Sequence, residues 1–183
     1  SDPHLAITDT QWESANFETT RFNNLLMRDS IIHLGSGGAL FGIPPLDISI
    51  IRTSFISLDN SRFSNTPGSR LTQLNILDSA FQGVGIQVRS VIPNAIIQRT
   101  TITLPTPTSP AIDFSYGVES TFHLQDVSVV TLNNAPSPGQ EVPIVQLRAL
   151  PPLQITGIWE NFKITTSSRY AMRIGAGTYN FGT

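Results

Sequence analysis

A short apolar strand pattern recurs along this chain, and the recurrence constrains the fold more than any other feature of the sequence. Its six copies, bounded by Gly, Pro, Asn or Ser, are LLMRDSIIHL (25–34), ISIIRTSFISL (48–58), LNILDSAFQG (74–83), AIIQRTTITL (95–104), FHLQDVSVV (122–130) and ITGIWENFKI (155–164). The 3.6-residue period of an amphipathic helix is nearly absent. Recurrence at steps of roughly 20–50 residues is typical of repeat architectures, and here the repeated unit carries strands.

The copies align on one apolar position, which is preceded in each copy by polar residues. That position is occupied by Ile31, Phe55, Ala80, Ile102, Val127 and Phe162, at steps of 24, 25, 22, 25 and 35 residues. One copy cannot bury its apolar side alone, whereas copies stacked about 4.8 Å apart share a continuous interior. We therefore predict an all-β fold, a single-stranded parallel β-helix (β-solenoid) of about six rungs, in which the aligned residues form one inward stack.

An antiparallel sandwich or jelly roll is the alternative, because it also uses many short strands. The β-helix is favoured because similar chemistry returns at the same place in each copy and because the hairpin dipeptides Asn-Gly and Asp-Gly are missing. Residues 1–20 are predicted to be an N-terminal capping or arm segment that covers the first rung. Residues 21–183 are predicted to be the β-helix domain.

The composition excludes several classes of protein. Only 13% of the 183 residues are charged and 39% are hydrophobic, so disorder is not expected. The net charge of −2 creates no general attraction for nucleic acid. Without cysteine there is no disulfide or thiolate metal site. No apolar run reaches the roughly 18 residues of a membrane span, and residues 1–20 do not resemble a signal peptide. No cofactor is predicted.

The catalytic candidates are Asp29 and Asp78, because the alignment places them in one polar column two rungs apart, or roughly 9–10 Å. The two carboxyl groups of inverting glycosidases lie about 6.5–9.5 Å apart. The alternative is that each Asp of an Asp-Ser pair stabilises a turn through the backbone. Thr53 and Thr100 fill the same column, and they favour the turn.

The candidates for ligand binding are Arg28, Arg52 and Arg99. Each directly precedes the polar column, and a row of Arg could bind sulfate, phosphate or acidic sugars with forked geometry. The alternative is a solvated row that pairs with Asp29. The three histidines have no metal-ligand spacing, so no metal site is predicted.

The repeated segments, above all LLMRDSIIHL, ISIIRTSFISL, LNILDSAFQG and AIIQRTTITL, resemble the right-handed parallel β-helix superfamily. That superfamily contains pectate-lyase-like enzymes and bacteriophage tailspikes. The resemblance covers roughly residues 16–175. It implies the fold and, for phage proteins of this kind, a homotrimer. It carries over no catalytic residue, because neither the polygalacturonase nor the pectate-lyase motifs occur here.

The function that we predict is that of a non-catalytic structural protein on a virion surface, such as a tail-spike or fibre segment or a capsid-decorating protein. Its expected location is the virion surface or the extracellular space. Expected partners are copies of itself, with a trimer favoured and the segment 170–183 near the contact, together with other virion or surface proteins and surface polysaccharide. Neither nucleic acid binding nor membrane insertion is expected. The alternatives are a polysaccharide-cleaving enzyme that uses Asp29 and Asp78, and a bacterial adhesin or carbohydrate-binding module.

Overall fold

The structure is a computed structural model, and it describes residues 4–19, 22–41, 46–65, 71–89, 94–105, 109–117, 120–131, 142–149, 154–166, 171–175 and 178–182. Every regular element within these ranges is a β-strand. The strands are β1 (His4–Thr8), β2 (Gln11–Thr19), β3 (Asn24–Arg28), β4 (Ile31–Phe41), β5 (Leu46–Ile51), β6 (Ser54–Asn65), β7 (Leu71–Leu77), β8 (Ala80–Val88), β9 (Asn94–Gln98), β10 (Thr101–Leu104), β11 (Ile112–Gly117), β12 (Ser120–Gln125), β13 (Ser128–Thr131), β14 (Val145–Ala149), β15 (Gln154–Glu160), β16 (Lys163–Thr165), β17 (Met172–Ile174) and β18 (Thr178–Gly182). None of the described residues forms a helix that could span a membrane.

The strands are divided between two large sheets, and all neighbours within each sheet run parallel. The first sheet has the order β1-β3-β5-β7-β9-β12-β15-β18. In the ten-stranded second sheet, β2, β4, β6 and β8 follow one another, and β8 then pairs with β10 through its first half and with β11 through its second half. From β10 the order continues to β13 and β16, and from β11 it continues to β14 and β17.

The prediction of a single-stranded parallel β-helix of about six rungs is wrong, because the strands form these two large parallel sheets. In the structure all six recurring segments break in the middle, as LLMRDSIIHL does at Asp29, and the two halves enter different sheets. Residues up to Arg28 join the first sheet through β3, and residues from Ile31 join the second through β4. The parallel all-β character of the prediction is confirmed.

The first sheet turns two apolar rows towards the interior, as period-two alternation requires. Within the residues whose burial is described, one row contains Leu25, Ile48, Leu74, Ala95 and Phe122, and the other contains Ile7, Met27, Ile50, Ile76, Ile97 and Leu124. These side chains share one hydrophobic core with the buried residues of the second sheet. Because parallel register places like residues over like, the aliphatic repeat of the sequence becomes a continuous interior.

The prediction of one inward stack is wrong at four of its six positions. The inward row lies one residue after Ile31 and Ala80, and two residues after Val127 and Phe162. Ile31 is 41% exposed and Ala80 is also exposed, whereas Phe55 and Ile102 are fully buried. The row that points inward is Ile32, Phe55, Phe81, Ile102, Val129 and Ile164. The rings of Phe55 and Phe81 stack in this row with centroids 5.0 Å apart. The alignment paired residues of similar type that occupy different places in the corner, as with Asp29 and Thr53, although the corner has two residues in all six copies.

A second bend interrupts the long strands β4, β6 and β8, and we call it the bulged bend (residues 34–38, 57–60 and Gly83). Register shifts there between His33 and Ala39 and between Ile56 and Ser61. Gly83 has a φ of 66°, and a Cβ at that position would collide with the carbonyl oxygen of Ser57. The strand β6 therefore carries extra residues where β8 needs only one glycine.

Candidate functional site

The corners between the two sheets are built on a left-handed backbone residue at the same place in each passage of the chain. These residues are Asp9, Asp29, Arg52, Asp78, Arg99, Asp126 and Asn161, with φ between 46° and 54°. Asp and Asn tolerate this conformation better than most side chains. The N–H of each from Asp9 to Asp126 donates to the last carbonyl of the neighbouring strand, over 2.9–3.1 Å. The corners therefore continue the sheet hydrogen bonding into a row of exposed side chains.

Opposite charges alternate along this row, which we call the charge ladder (Asp29, Arg52, Asp78, Arg99, Asp126 and Asn161). Arg52 Nε lies 2.5 Å from Asp29 Oδ1, and its Nη2 lies 2.7 Å from Asp29 Oδ2. Arg99 holds Asp78 in the same forked manner, at 2.5 and 3.0 Å. Asn161 Nδ2 donates to Asp126 Oδ1 at 2.7 Å. The two bidentate Arg–Asp pairs fix planar geometry and are stronger than neutral hydrogen bonds.

Buried hydroxyl groups support the charge ladder from the inside, one residue further along the chain. The hydroxyls of Ser30, Thr53, Ser79 and Thr100 each donate to the carbonyl two residues earlier, over 2.7–3.0 Å. Ser79 Oγ also accepts the N–H of Thr53 at 3.2 Å, and Ser30 Oγ accepts that of Thr10. These hydroxyls thereby supply hydrogen-bond partners to backbone groups of their own corner and, for Ser30 and Ser79, of a neighbouring corner.

The charge ladder lowers the pKa of both candidate carboxyl groups. For Asp29 the main cause is the hydrogen bond from Arg52, and the charges of Arg52 and Arg28 act in the same direction. For Asp78 the main cause is the hydrogen bond from Arg99. The same pairs raise the pKa of Arg52 and of Arg99. Both carboxylates are consequently ionised at neutral pH.

The structure brings four of the five candidate residues into one row. Asp29 and Asp78 do lie two strands apart in the same column, as the sequence predicts, but Arg52 stands between them and Arg99 follows. Arg28 lies one position earlier, on β3 opposite Ile51, with its Nε 3.5 Å from Asp29 Oδ2. The arginines therefore do not form a row of their own.

A buried carboxylate escaped the sequence interpretation altogether. Asp113 on β11 is only 5% exposed, and Gln87 and Gln146 approach it from the neighbouring strands. Gln87 Nε2 donates to Asp113 Oδ2 at 2.9 Å, and Gln146 Nε2 donates to Oδ1 at 3.4 Å. No signal in the repeat could have revealed this cluster, because its residues lie outside the aligned segments.

The histidines belong to different elements. His4 is on β1, where its Nδ1 lies 2.9 Å from Asn24 Nδ2, and His33 is on β4. His123 is on β12, with its Nε2 3.7 Å from Glu160 Oε2. In the part of the chain that the structure describes, no group of three or more His, Cys, Asp or Glu side chains could hold a metal ion.

Comparisons with protein-family models, with curated proteins and with solved structures find no match for this chain. The resemblance to the right-handed parallel β-helix superfamily therefore stays a prediction.

Proposed function

We propose that this chain is a non-catalytic structural module of a virion or extracellular surface, which acts through contacts with protein neighbours or surface glycans. The observation that carries the proposal is the pairing of both candidate carboxylates with arginine in the charge ladder. This pairing gives Asp29 and Asp78 a structural task, because each joins one corner to the next.

The chemistry of glycoside cleavage favours the structural role further. Hydrolysis of a glycosidic bond by two carboxyl groups needs one of them protonated near neutral pH, and enzymes achieve this by raising its pKa. Asp29 and Asp78 have pKa values shifted in the opposite direction by Arg52 and Arg99. Neither carboxyl group is set up to donate a proton to a leaving group.

The composition of the surface also suits a structural module. Only 13% of the residues are charged. On the outer side of the first sheet, Gln98 Nε2 donates to Gln125 Oε1 at 3.0 Å across adjacent strands. Side chains that bond to one another in this way form a regular, weakly charged surface.

A depolymerisation assay tests the proposal. The chain is incubated with a panel of bacterial surface polysaccharides from pH 4 to pH 8, and newly formed reducing ends and unsaturated products are measured. We expect no turnover on any member of the panel. Binding of the same polysaccharides, measured by retention on glycan-coated sensors, is compatible with the proposal because a structural module can adhere to a surface.

Two variants make the negative result informative. Asp78→Asn removes a candidate acid, and Asp126→Asn makes the same chemical change in the charge ladder outside the candidate pair. Turnover that the first variant abolishes and the second leaves intact would overturn the proposal. Asn tolerates the left-handed backbone of both positions, so neither variant should disturb the corner.

A further inference from the structure

On the outer face of β3, β5, β7 and β9, apolar and polar side chains follow one another across the strands. Their order is the same from β3 to β9 as from β9 to β3. Its side chains alternate with the buried rows and form three outward rows, of which the one farthest from the charge ladder is entirely polar (Asn24, Asp47, Gln73 and Asn94). The other two lie beside the charge ladder. One row is Leu26, Ser49, Asn75 and Ile96, and the next is Arg28, Ile51, Leu77 and Gln98. The first row runs apolar, polar, polar, apolar, and the second runs polar, apolar, apolar, polar. We call this surface, with the first four residues of the charge ladder at its rim, the palindromic face.

Reversing the order of the four rim charges places an opposite charge at every position, so this row is complementary to its own reversed copy. From β3 to β9 they run Asp29, Arg52, Asp78 and Arg99, that is, negative, positive, negative, positive. A second copy turned end for end presents positive, negative, positive, negative. The side chains of these residues keep 33%, 55%, 39% and 50% of their surface exposed, so each can meet a second partner in addition to its own.

We propose that the palindromic face binds a second copy of this chain around a two-fold axis. The axis would run along the strand direction, between β5 and β7, so that each row faces its own reversed copy. Ile51 then meets the other copy's Leu77, and Leu26 meets the other copy's Ile96. At the rim, Arg52 faces the carboxylate of the other copy's Asp78. A two-fold contact of this kind is isologous, and it closes at two copies.

Backbone geometry limits such a contact to registers that differ by whole strands. Strands within both copies are spaced by about 4.8 Å, so a match at one strand is a match at all four. A shift by one strand would place Asp against Asp and Arg against Arg. Charges therefore select the register, while the apolar centre supplies most of the affinity, because exposed ion pairs contribute little by themselves.

The charge match ends with the four central strands. Asp9 and Asp126 occupy the corners on either side, and the two-fold axis would bring these like charges together.

The matched area is small, so we expect weak association with a Kd of about 10–100 μM. This differs from the trimer that the superfamily resemblance implies. The inference rests on the proposed function only in treating this face as a contact surface, and it names one partner.

Sedimentation velocity on the full chain, from about 5 to 500 μM, tests the pairing with two exchange variants. The variant Asp78→Arg/Arg99→Asp keeps the composition, the net charge and an oppositely charged pair at these corners. Across the axis, however, it sets Asp29 against the new carboxylate at position 99 and Arg52 against the new guanidinium at position 78. The variant Asp29→Arg/Arg52→Asp does the same with inverted signs.

We expect the parent chain to dimerise and each exchange variant alone to associate at least about tenfold more weakly. An equimolar mixture of the two variants should recover the dimer, because every position then faces an opposite charge. A general loss of stability could not produce this recovery. The proposal is overturned if the parent stays monomeric at the highest concentration, or if the variants associate as well alone as when mixed.

A second pair of variants guards against misfolding of the exchanged corners. Leu77→Lys places a charge at the centre of the palindromic face and should weaken the dimer about tenfold. Ile158→Lys makes a comparable change at a side chain that is 38% exposed on β15, outside the four central strands, and should leave the dimer unchanged. Equal effects of the two would contradict the assignment of this face. Either result leaves the polysaccharide assay untouched, so the two proposals fail separately.

Discussion

The charge ladder and the bulged bend solve the same problem, a change of chain direction, in opposite ways. At the charge ladder each passage uses one left-handed residue, and a hydroxyl follows it in most passages, so successive corners have similar bonding. At the bulged bend β8 uses Gly83, whereas β6 inserts a short loop in which Ser57 Oγ and Ser61 Oγ lie 3.0 Å apart. The first corner is therefore repetitive. The second has a left-handed residue in each strand (Gly38, Asn60 and Gly83), but the number of residues in the bend differs from strand to strand.

This difference predicts where single substitutions are tolerated. In the charge ladder, neighbouring corners support one another, so the loss of one side chain leaves the backbone bonds of its neighbours in place. In the bulged bend, the carbonyl of Ser57 occupies the space that a side chain at position 83 would need. A substitution there cannot be absorbed by another copy of the same motif.

The largest effect is expected from Gly83→Ala, in the bulged bend. The added Cβ meets backbone, and φ at this position is 66°. Left-handed strain and overpacking together should lower the free energy of unfolding by about 3 kcal/mol in denaturant titrations. Gly175→Ala is the control, because its Cβ would lie 3.2 Å from the flexible Arg148 Cγ. Equal losses in both variants would contradict the account of the bend.

A smaller effect is expected from Ser79→Ala, behind the charge ladder. The change removes the acceptor of the Thr53 N–H, and Thr53 is fully buried. An unpaired buried donor costs about 1–2 kcal/mol in the free energy of unfolding, measurable by urea titration. Ser54→Ala is the matched control at a half-exposed position that faces outward. A loss with Ser54→Ala as large as that with Ser79→Ala would show that the hydroxyl row has no special role.

Acid should weaken the charge ladder and leave the bulged bend intact. Folding lowers the pKa of Asp29 and Asp78, so their contribution to stability is present above the unfolded pKa of about 4 and is lost as pH falls through the folded value. The melting temperature of the parent should therefore fall more steeply between pH 5 and pH 2 than that of Asp29→Asn/Asp78→Asn. Parallel pH profiles for the two proteins would contradict this interpretation of the ion pairs.

The smallest effect is expected from Leu58→Ser. This side chain projects from the bulged bend with 93% of its surface exposed. Its removal should change the free energy of unfolding by no more than about 0.5 kcal/mol in the same urea titration. A larger loss would show that Leu58 contacts other residues in solution.

The sequence predicted the repeated part of the molecule better than the individual part. Period-two alternation and the recurrent Asp-Ser pairs indicated parallel strands that end at polar corners, and Asp29 and Asp78 do occupy the same column. Arg52 and Arg99 were assigned to a different position, because their following residues Thr53 and Thr100 had been aligned with the aspartates. This one-residue error in the alignment was enough to separate partners that lie 2.5 Å apart.

The division into two sheets could not be predicted from the apolar pattern. Both halves of a segment such as LLMRDSIIHL alternate in the same way, and only the backbone conformation of Asp29 separates them. An Asp is compatible with that conformation but does not require it. The Asp113 cluster was equally hidden, because buried polar networks depend on which strands become neighbours.

Parallel pairing between segments close in the chain has a consequence for how disturbances spread. Within the described residues, partners in the first sheet are separated by as few as 20 positions, as for His4 and Asn24, and by as many as 35, as for Ser120 and Ile155. Closing loops of this size costs little more entropy at the long end than at the short one. Among the described strands, β1 and β18 lie at opposite edges of the first sheet, so a lesion in one reaches the other only by relay through every intervening strand. A local lesion should therefore disturb the adjacent strands before it disturbs distant ones.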